Sequence, residues 1–207
     1  MLTEELLKKY FVDIINFFVP FRLIIPQPII KKIPFLRSTE DERFYRVLSK
    51  YRGKGIDIGC GANRMIKKYR ASGNDGIGID VYPWEGADLI VIKNTDCLPF
   101  ETESFDCASF VASLNHIPNR VEVLKEVYRI LKPGGLLIIT NLTPFVSLIW
   151  HKIAFWDIDQ KVRGIKEGEV YGFTDKKLKK MVSNEGFVLV KKCTFMWGLN
   201  NLYVFKK

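Results

Sequence analysis

Three aspartates follow short apolar runs. Asp57 lies in GIDIGCGANRMIKKY (Gly55 to Tyr69), Asp80 closes GIGID, and Asp96 stands in NTDCLPFETESFD. Gly59, Cys60 and Gly61 come directly after Asp57 and its neighbour Ile58. Glycine accepts positive φ and lacks Cβ, so a Gly-x-Gly turn between a strand and a helix lets a ligand touch the backbone. In an open parallel sheet, ligands sit beyond the carboxyl ends of the strands, where this turn would lie. A carboxylate at the end of the next strand, as Asp80 would be, can accept two hydrogen bonds from a ribose diol. Asp96, after the third strand, would stand close to an adenine. The set suits a nucleoside-containing cofactor. A dinucleotide fingerprint would need a third glycine, and Asn63-Arg64 follow instead. Each aspartate also has a plain structural use. Asp57 could cap the helix that starts near Asn63, Asp80 could end a strand, and Asp96 could form a turn before Pro99. Their joint occurrence, in order, favours the cofactor.

The elements needed to position these residues are present in the pattern. STEDERFYRVLSKY opens with a Ser or Thr cap and acidic first-turn residues, which predicts a helix. KGIDIG predicts a strand, NRMIKKYRASG a helix closed by Gly73, and DGIGID, ADLIVI and FDCASFVAS further strands. NRVEVLKEVYRIL predicts a helix with Val121, Leu124, Val127, Tyr128 and Leu131 on its apolar face. KPGG reads as a turn and LLIITN as a buried strand. TDKKLKKMVSNEG predicts a last helix, and FVLVKKCTF with NNLYVFKK a terminal hairpin. Strands alternating with helices imply a parallel sheet covered on both faces.

With these residues in place, the sequence resembles the class I S-adenosylmethionine-dependent methyltransferases. Within them it is similar to the small-molecule, methyltransferase type 11-like group, through D-x-G-C-G, D…LPF…SFD and LKPGG. The resemblance runs from Ile56 to Asn141. It extends more loosely to Lys207, through GFTDKKLKKMVSNEGF. It implies an α/β, Rossmann-like, doubly wound sheet of seven strands with an antiparallel last strand, in a three-layer sandwich. It also implies S-adenosylmethionine as cofactor. Carried across, Asp57, Gly59, Cys60 and Gly61 would surround the methionine part, with Asp57 orienting the turn and the glycine backbone meeting the ammonium. Asp80 would hold the ribose hydroxyls and Val81 would pack on the adenine. Asp96 would accept from the adenine amino group and Cys97 would offer its backbone N–H. Ser113 to His116 would line the opening near the sulfonium. Asn63 stands where many relatives carry glycine, and asparagine tolerates the left-handed region.

Methyl transfer from a sulfonium is an in-line displacement, so position and exclusion of water can supply most of the acceleration. A base is needed only where the acceptor must first lose a proton. His116, in SLNHIPN, is the candidate catalytic residue, because imidazole takes protons near neutrality. The plainer reading makes it a loop residue shaping the cofactor rim. His151 is the other imidazole.

Cys60, Cys97, Cys107 and Cys193 form no C-x-x-C pair, which argues against a zinc cluster and for reduced thiols in a cytoplasmic protein. The 207 residues carry a formal net charge of +9. Residues 1–38 hold six basic and three acidic side chains, 39–143 fourteen of each, and 144–207 twelve and six. The excess flanks a balanced middle, which suits either solubility or an anionic partner.

Two parts lie outside the common core. Residues 1–38 read as an amphipathic helix with a Pro-rich extension. Leu6, Leu7, Tyr10, Phe11, Ile14, Ile15 and Phe18 recur at helical spacing before Pro20. This helix could cap the domain, cover a pocket, or lie peripherally on an anionic membrane surface. The remainder, 39–207, reads as the methyltransferase domain, with a lid-like insertion at 144–173 carrying Trp150, Phe155, Trp156 and Tyr171. Such a lid suits a small hydrophobic or lipid-like acceptor. Nucleic acid is the competing acceptor, although no N-P-P-Y-type motif or RNA-binding module accompanies the basic segments. A non-catalytic cofactor-binding or membrane-adaptor domain is the third reading.

Overall fold

The computed structural model describes residues 10–16, 27–30, 32–33, 35–144, 168 and 170–207. Seven strands form one sheet: β1 Gly55–Ile58, β2 Gly76–Asp80, β3 Ile90–Val91, β4 Phe105–Val111, β5 Leu131–Leu142, β6 Val188–Phe195 and β7 Asn200–Lys206. Their order is β3-β2-β1-β4-β5-β7-β6. The first five are parallel, and β7 runs antiparallel between β5 and β6. The winding direction reverses between β1 and β4. The carboxyl ends of those two strands therefore flank the crevice where such sheets bind ligands.

Strand alternation sends neighbouring residues to opposite layers. Leu137 and Ile139 pack with Ile56, Ile58 and Phe110 against α3 (Arg120–Ile130) and α4 (Asp175–Asn184). Ile138 turns the other way, with Leu202 and Val204, towards α1 (Thr39–Leu48) and α2 (Arg64–Ala71). Among the described residues, these two helices on each face give three layers.

Local chemistry sets the helix ends. Ser38 caps α1 by accepting the Asp41 N–H at 3.0 Å, and Glu40, Asp41 and Glu42 lie in the first turn, where the helix dipole favours negative charge. Thr174 caps α4 in the same way.

Three local expectations are corrected. Val121 is exposed on α3, while Val123 and Ile130 join Leu124 and Val127 in the core. KPGG is no free turn but a bulged part of β5. Phe105 pairs with Leu131 and Cys107 next with Leu136, and the bulge is held by Gly134 N–H to Lys207 O at 3.1 Å. ADLIVI contributes only Ile90–Val91.

Residues 10–16 are helical. Leu6, Leu7, Phe18 and Pro20, and Trp150, His151, Phe155 and Trp156 of the insertion, lie outside the described residues. Among the described residues, no helix is long and apolar enough to cross a membrane, and no cluster of three or more His, Cys, Asp or Glu side chains could hold a metal.

Candidate cofactor site

The chain leaves β1 and folds back over the end of β2. Gly59 and Cys60 both give their N–H groups to Ile79 O, at 2.9 and 3.1 Å. Gly59 has φ +71°, and a Cβ there would come 2.7 Å from that of Ser113. Ser113, in turn, donates its hydroxyl to Ile58 O at 2.6 Å. The carboxyl ends of β1 and β4 are thus stitched together through a glycine that no other residue could replace without a shift.

Gly61 differs. Its φ is +54°, and a Cβ built on it would meet nothing within 4 Å. Its N–H is held by Asp80 Oδ2 at 2.9 Å, while Asp80 Oδ1 takes the Tyr82 N–H at 3.0 Å. The hydrogen bond that braces the turn therefore comes from Asp80, not from Asp57. Each Asp80 oxygen still has a lone pair for a further donor.

Asn63 has φ +54° and sits fully buried at the start of α2, its amide donating to Asp88 O. Its Oδ1 lies against Gly78, where a Cβ would fall 2.1 Å away. Gly78 is the partner that makes room for Asn63, a pairing that sequence reasoning missed.

Asp57 points into the layer beneath. Its Oδ1 accepts the Ser109 hydroxyl at 2.6 Å. Ser109 Oγ lies 2.6 Å from the Tyr51 hydroxyl, which bonds Ile56 O at 2.9 Å. Burial pushes the Asp57 carboxyl up to about 7, with Asp80's negative charge adding and the Ser109 bond opposing. A cation nearby would favour its ionised form. Burial, followed by the charges of Asp57 and Asp80, also raises the Cys60 thiol and keeps it protonated, so Cys60 contributes position. Ser109 and Tyr51 were not foreseen, although Ser109 pairs directly with Asp57 across the sheet.

Asp57 and Asp80 are thus brought close. Asp96 and Cys97 are exposed on the next loop. That loop is fastened to α3 by Leu98 N–H to Glu126 Oε2 at 2.8 Å and by Arg129 to Leu98 O and Phe100 O. Thr95 to Asn119 at 2.8 Å ties it to the start of α3. Among the described residues, no hydrogen bond joins Asp96 to the other two carboxylates. Val81, Ile90 and Val91 leave apolar surface exposed at the β2–β3 end.

His116 ends the short 3-10 turn Leu114–His116, and Ser113 precedes that turn. Asn115 Nδ2 lies 3.0 Å from His116 Nε2 and 3.4 Å from Val170 O. A nitrogen facing a carbonyl is the donor, so Nε2 accepts. The returning chain is latched here as well. Arg120 bonds Gly168 O at 2.6 Å, and Asn141 exchanges two bonds with Phe173.

A nucleoside-containing cofactor fits this arrangement. The turn has open space where its second glycine lacks a side chain, a carboxylate with free lone pairs faces it, and apolar surface adjoins it. Comparison with known proteins agrees. Residues 56–139 match the family described as a methyltransferase domain. The sterol 4-C-methyltransferase strm-1 of Caenorhabditis elegans is 35% identical over 101 residues, covering 42% of this chain and 30% of that protein. A demethylmenaquinone methyltransferase of Staphylococcus saprophyticus is 29% identical over 181 residues, covering 73% and 77%. Several curated relatives are matched over only about a third of their length, 30% and 35% for the first two. Among solved structures, an S-adenosylmethionine-dependent methyltransferase from Thermotoga maritima has a TM-score of 0.60 at 19% identity over 99% of this chain and 100% of that one. A protein from Pyrococcus horikoshii has a TM-score of 0.65 at 18% identity over 94% and 98%. Residues 56–139 are thus similar to a methyltransferase domain, and the chain has the fold of the class that includes solved S-adenosylmethionine-dependent methyltransferases. S-adenosylmethionine is the cofactor of that class.

Proposed function

We propose that this protein transfers a methyl group from S-adenosylmethionine to a small, hydrophobic or lipid-like acceptor. The observation that carries the reading is the turn at Gly59–Gly61, braced by Asp80 at the sheet's switch point and open at Gly61. When bound, the cofactor supplies a methyl already activated by its sulfonium. The protein's task is then to bind, orient and exclude water. The backbone at Gly59, Cys60 and Gly61 takes the methionine end, with the charge of Asp57 beneath it. Asp80 takes the ribose hydroxyls on its remaining lone pairs. Val81 packs on the adenine, and Asp96 and the Cys97 N–H meet its polar edge. Ser113 to His116 form the rim past which the acceptor approaches. An apolar acceptor is supported by the sterol and menaquinone methyltransferases among the relatives.

The test is incubation of the full chain with methyl-labelled cofactor and fractionated cell extract. Label should enter an organic-soluble product by mass spectrometry. Label found only in an RNA fraction would overturn the acceptor class. Asp80→Ala should weaken cofactor binding at least about tenfold by calorimetry, since charge-assisted bonds of roughly 1.5–3 kcal/mol each are lost. Unchanged affinity would remove Asp80 from the site.

A further inference from the structure

The helix at 10–16 presents its polar side to the protein. Asp13 bonds Arg37 Nη1 at 2.7 Å and lies 3.4 Å from the Tyr45 hydroxyl. Asn16, buried, gives its amide N–H to Phe35 O at 2.7 Å and accepts the Arg37 backbone N–H at 2.8 Å. Tyr10, Phe11 and Ile14 share the outer side and are 52%, 55% and 57% exposed. A helix that capped the domain or roofed a pocket would turn these residues inward.

The apolar surface continues beyond the helix. The Phe11 ring meets Phe35 edge-on, centroids 5.9 Å apart, and Phe35 is itself 60% exposed. Ile29 and Ile33 are exposed nearby in sequence. Among the described residues, six of the fourteen exposed large apolar side chains fall between residues 10 and 35. Such concentration is unusual on a soluble surface and marks a place of contact. Phe35 adds a second sign. Its φ of +65° is a left-handed conformation that costs a bulky side chain and that glycine would adopt freely. A bulky aromatic thus holds a strained backbone while its ring, edge-on to Phe11, stays 60% exposed.

The position is informative. Glu40 of α1 pairs with Arg64 at 2.6 Å, and Arg64 opens α2 directly after the cofactor turn. Arg43 bonds Asn200, which pairs with Leu142 at the carboxyl end of β5. The start of α1, to which the helix at 10–16 is tied through Arg37, thus borders the edge of the sheet on which the site opens. Charge selects the occupant. Residues 1–38 carry six basic and three acidic side chains, and Lys32 is exposed beside Ile33. Exposed apolar and aromatic side chains on a segment whose sequence carries net positive charge complement an anionic lipid surface. They do not complement a second copy of a chain whose net charge is +9.

We propose that this face docks on an anionic lipid surface, with Tyr10, Phe11, Ile14 and Phe35 entering the headgroup region and the cofactor edge held against the bilayer. The proposal deepens the reading of a lipid-like acceptor by giving that acceptor its route. Its test reads partition rather than turnover, so either can fail without the other.

The full chain is floated with vesicles of phosphatidylcholine, with and without phosphatidylglycerol. Binding to the anionic vesicles is expected, and it should fall at least about tenfold in Phe11→Ser combined with Ile14→Ser. Calorimetric affinity for S-adenosylmethionine should stay unchanged. Phe35→Gly is the second variant, since it relieves the backbone while removing the ring; it should keep the fold and lose partition. Absence of vesicle binding, or binding that survives these substitutions, would overturn the proposal. So would self-association of the native chain that Phe11→Ser abolishes, because a second copy would then cover the face.

Discussion

Asp57 carries the sharpest electrostatic consequence at the scale of single residues. Its carboxyl sits at about 7 in the fold against an ordinary 3.8, because burial and Asp80 disfavour its charge. Between those values the folded protein binds a proton that the unfolded chain has released, so stability falls as pH rises. Asp106, Glu126 and Asp175, lowered chiefly by hydrogen bonds from Lys132, Arg129 and Lys179, act in the opposite sense. Their stabilisation is lost only as pH drops below the ordinary carboxylate range. Among the described groups with a shifted pKa, Asp57 is the one that acts from about pH 5 to 7, with a slope on the order of 1 kcal/mol per unit. Denaturant midpoints should fall across that window in the native chain and lie flat in Asp57→Asn. Cofactor affinity should run the other way, weakening as pH falls below about 7, because a bound cation favours ionised Asp57. A second prediction concerns His116. Its Nε2 already accepts from Asn115, so His116→Ala should lower kcat less than about tenfold. Loss of a working base would cost about 10²–10⁴-fold.

At the scale of elements, the turn depends on an exchange of volume between neighbours. Asn63 holds its left-handed conformation with its side chain laid over Gly78 of β2. A methyl at 78 has nowhere to go, because Asn63 is fully buried. Gly78→Ala should therefore destabilise by about 1–3 kcal/mol. Asn63→Gly suits the positive φ and should cost little, and in the double variant it should restore most of the loss. Additive losses in a double-mutant cycle would show that the two residues do not share the space. Elements of this kind were only partly legible in the sequence. The Ser38 cap, the alternation of strands and helices, and the terminal hairpin follow from local chemistry and could be read directly. The phase of α3 could not, since Val121 and Val123 are equally apolar and only the sheet decides which is covered. The bulge in LKPGG depends on Lys207, the last residue of the chain. Within the site, the glycines and Asp80 announced themselves by type and spacing. Asp80's bond to Gly61 and the Tyr51–Ser109 contact join residues 19 and 58 positions apart, and tertiary folding alone sets them.

For the whole molecule, the question is whether the N-terminal extension and the α/β body behave as one. Arg37 is the joint. Its guanidinium reaches Asp13 on the helix at 2.7 Å and Glu42 on α1 at 3.3 Å, and lies 3.8 Å over the Tyr45 ring. Asn16 supplies two further bonds to the same segment. Partly exposed ion pairs contribute about 0.2–1 kcal/mol and a buried hydrogen bond about 1 kcal/mol, so among the described residues these contacts hold the helix at 10–16 to the segment 35–45 by roughly 2–4 kcal/mol. That is less than the body's own stability should be. The body does not need Arg37, because Glu42 keeps Arg46 at 2.8 Å and Asp13 can take water in its place. Arg37→Met with Asn16→Ala should therefore uncouple the two parts. Hydrogen exchange at residues 10–16 should speed up at least about tenfold, while exchange in β1, β4 and β5 and the calorimetric affinity for S-adenosylmethionine stay as they were. If β1 and β4 lost protection together with the helix, the extension would be an integral layer of the domain. The boundary proposed at residue 38 would then be wrong.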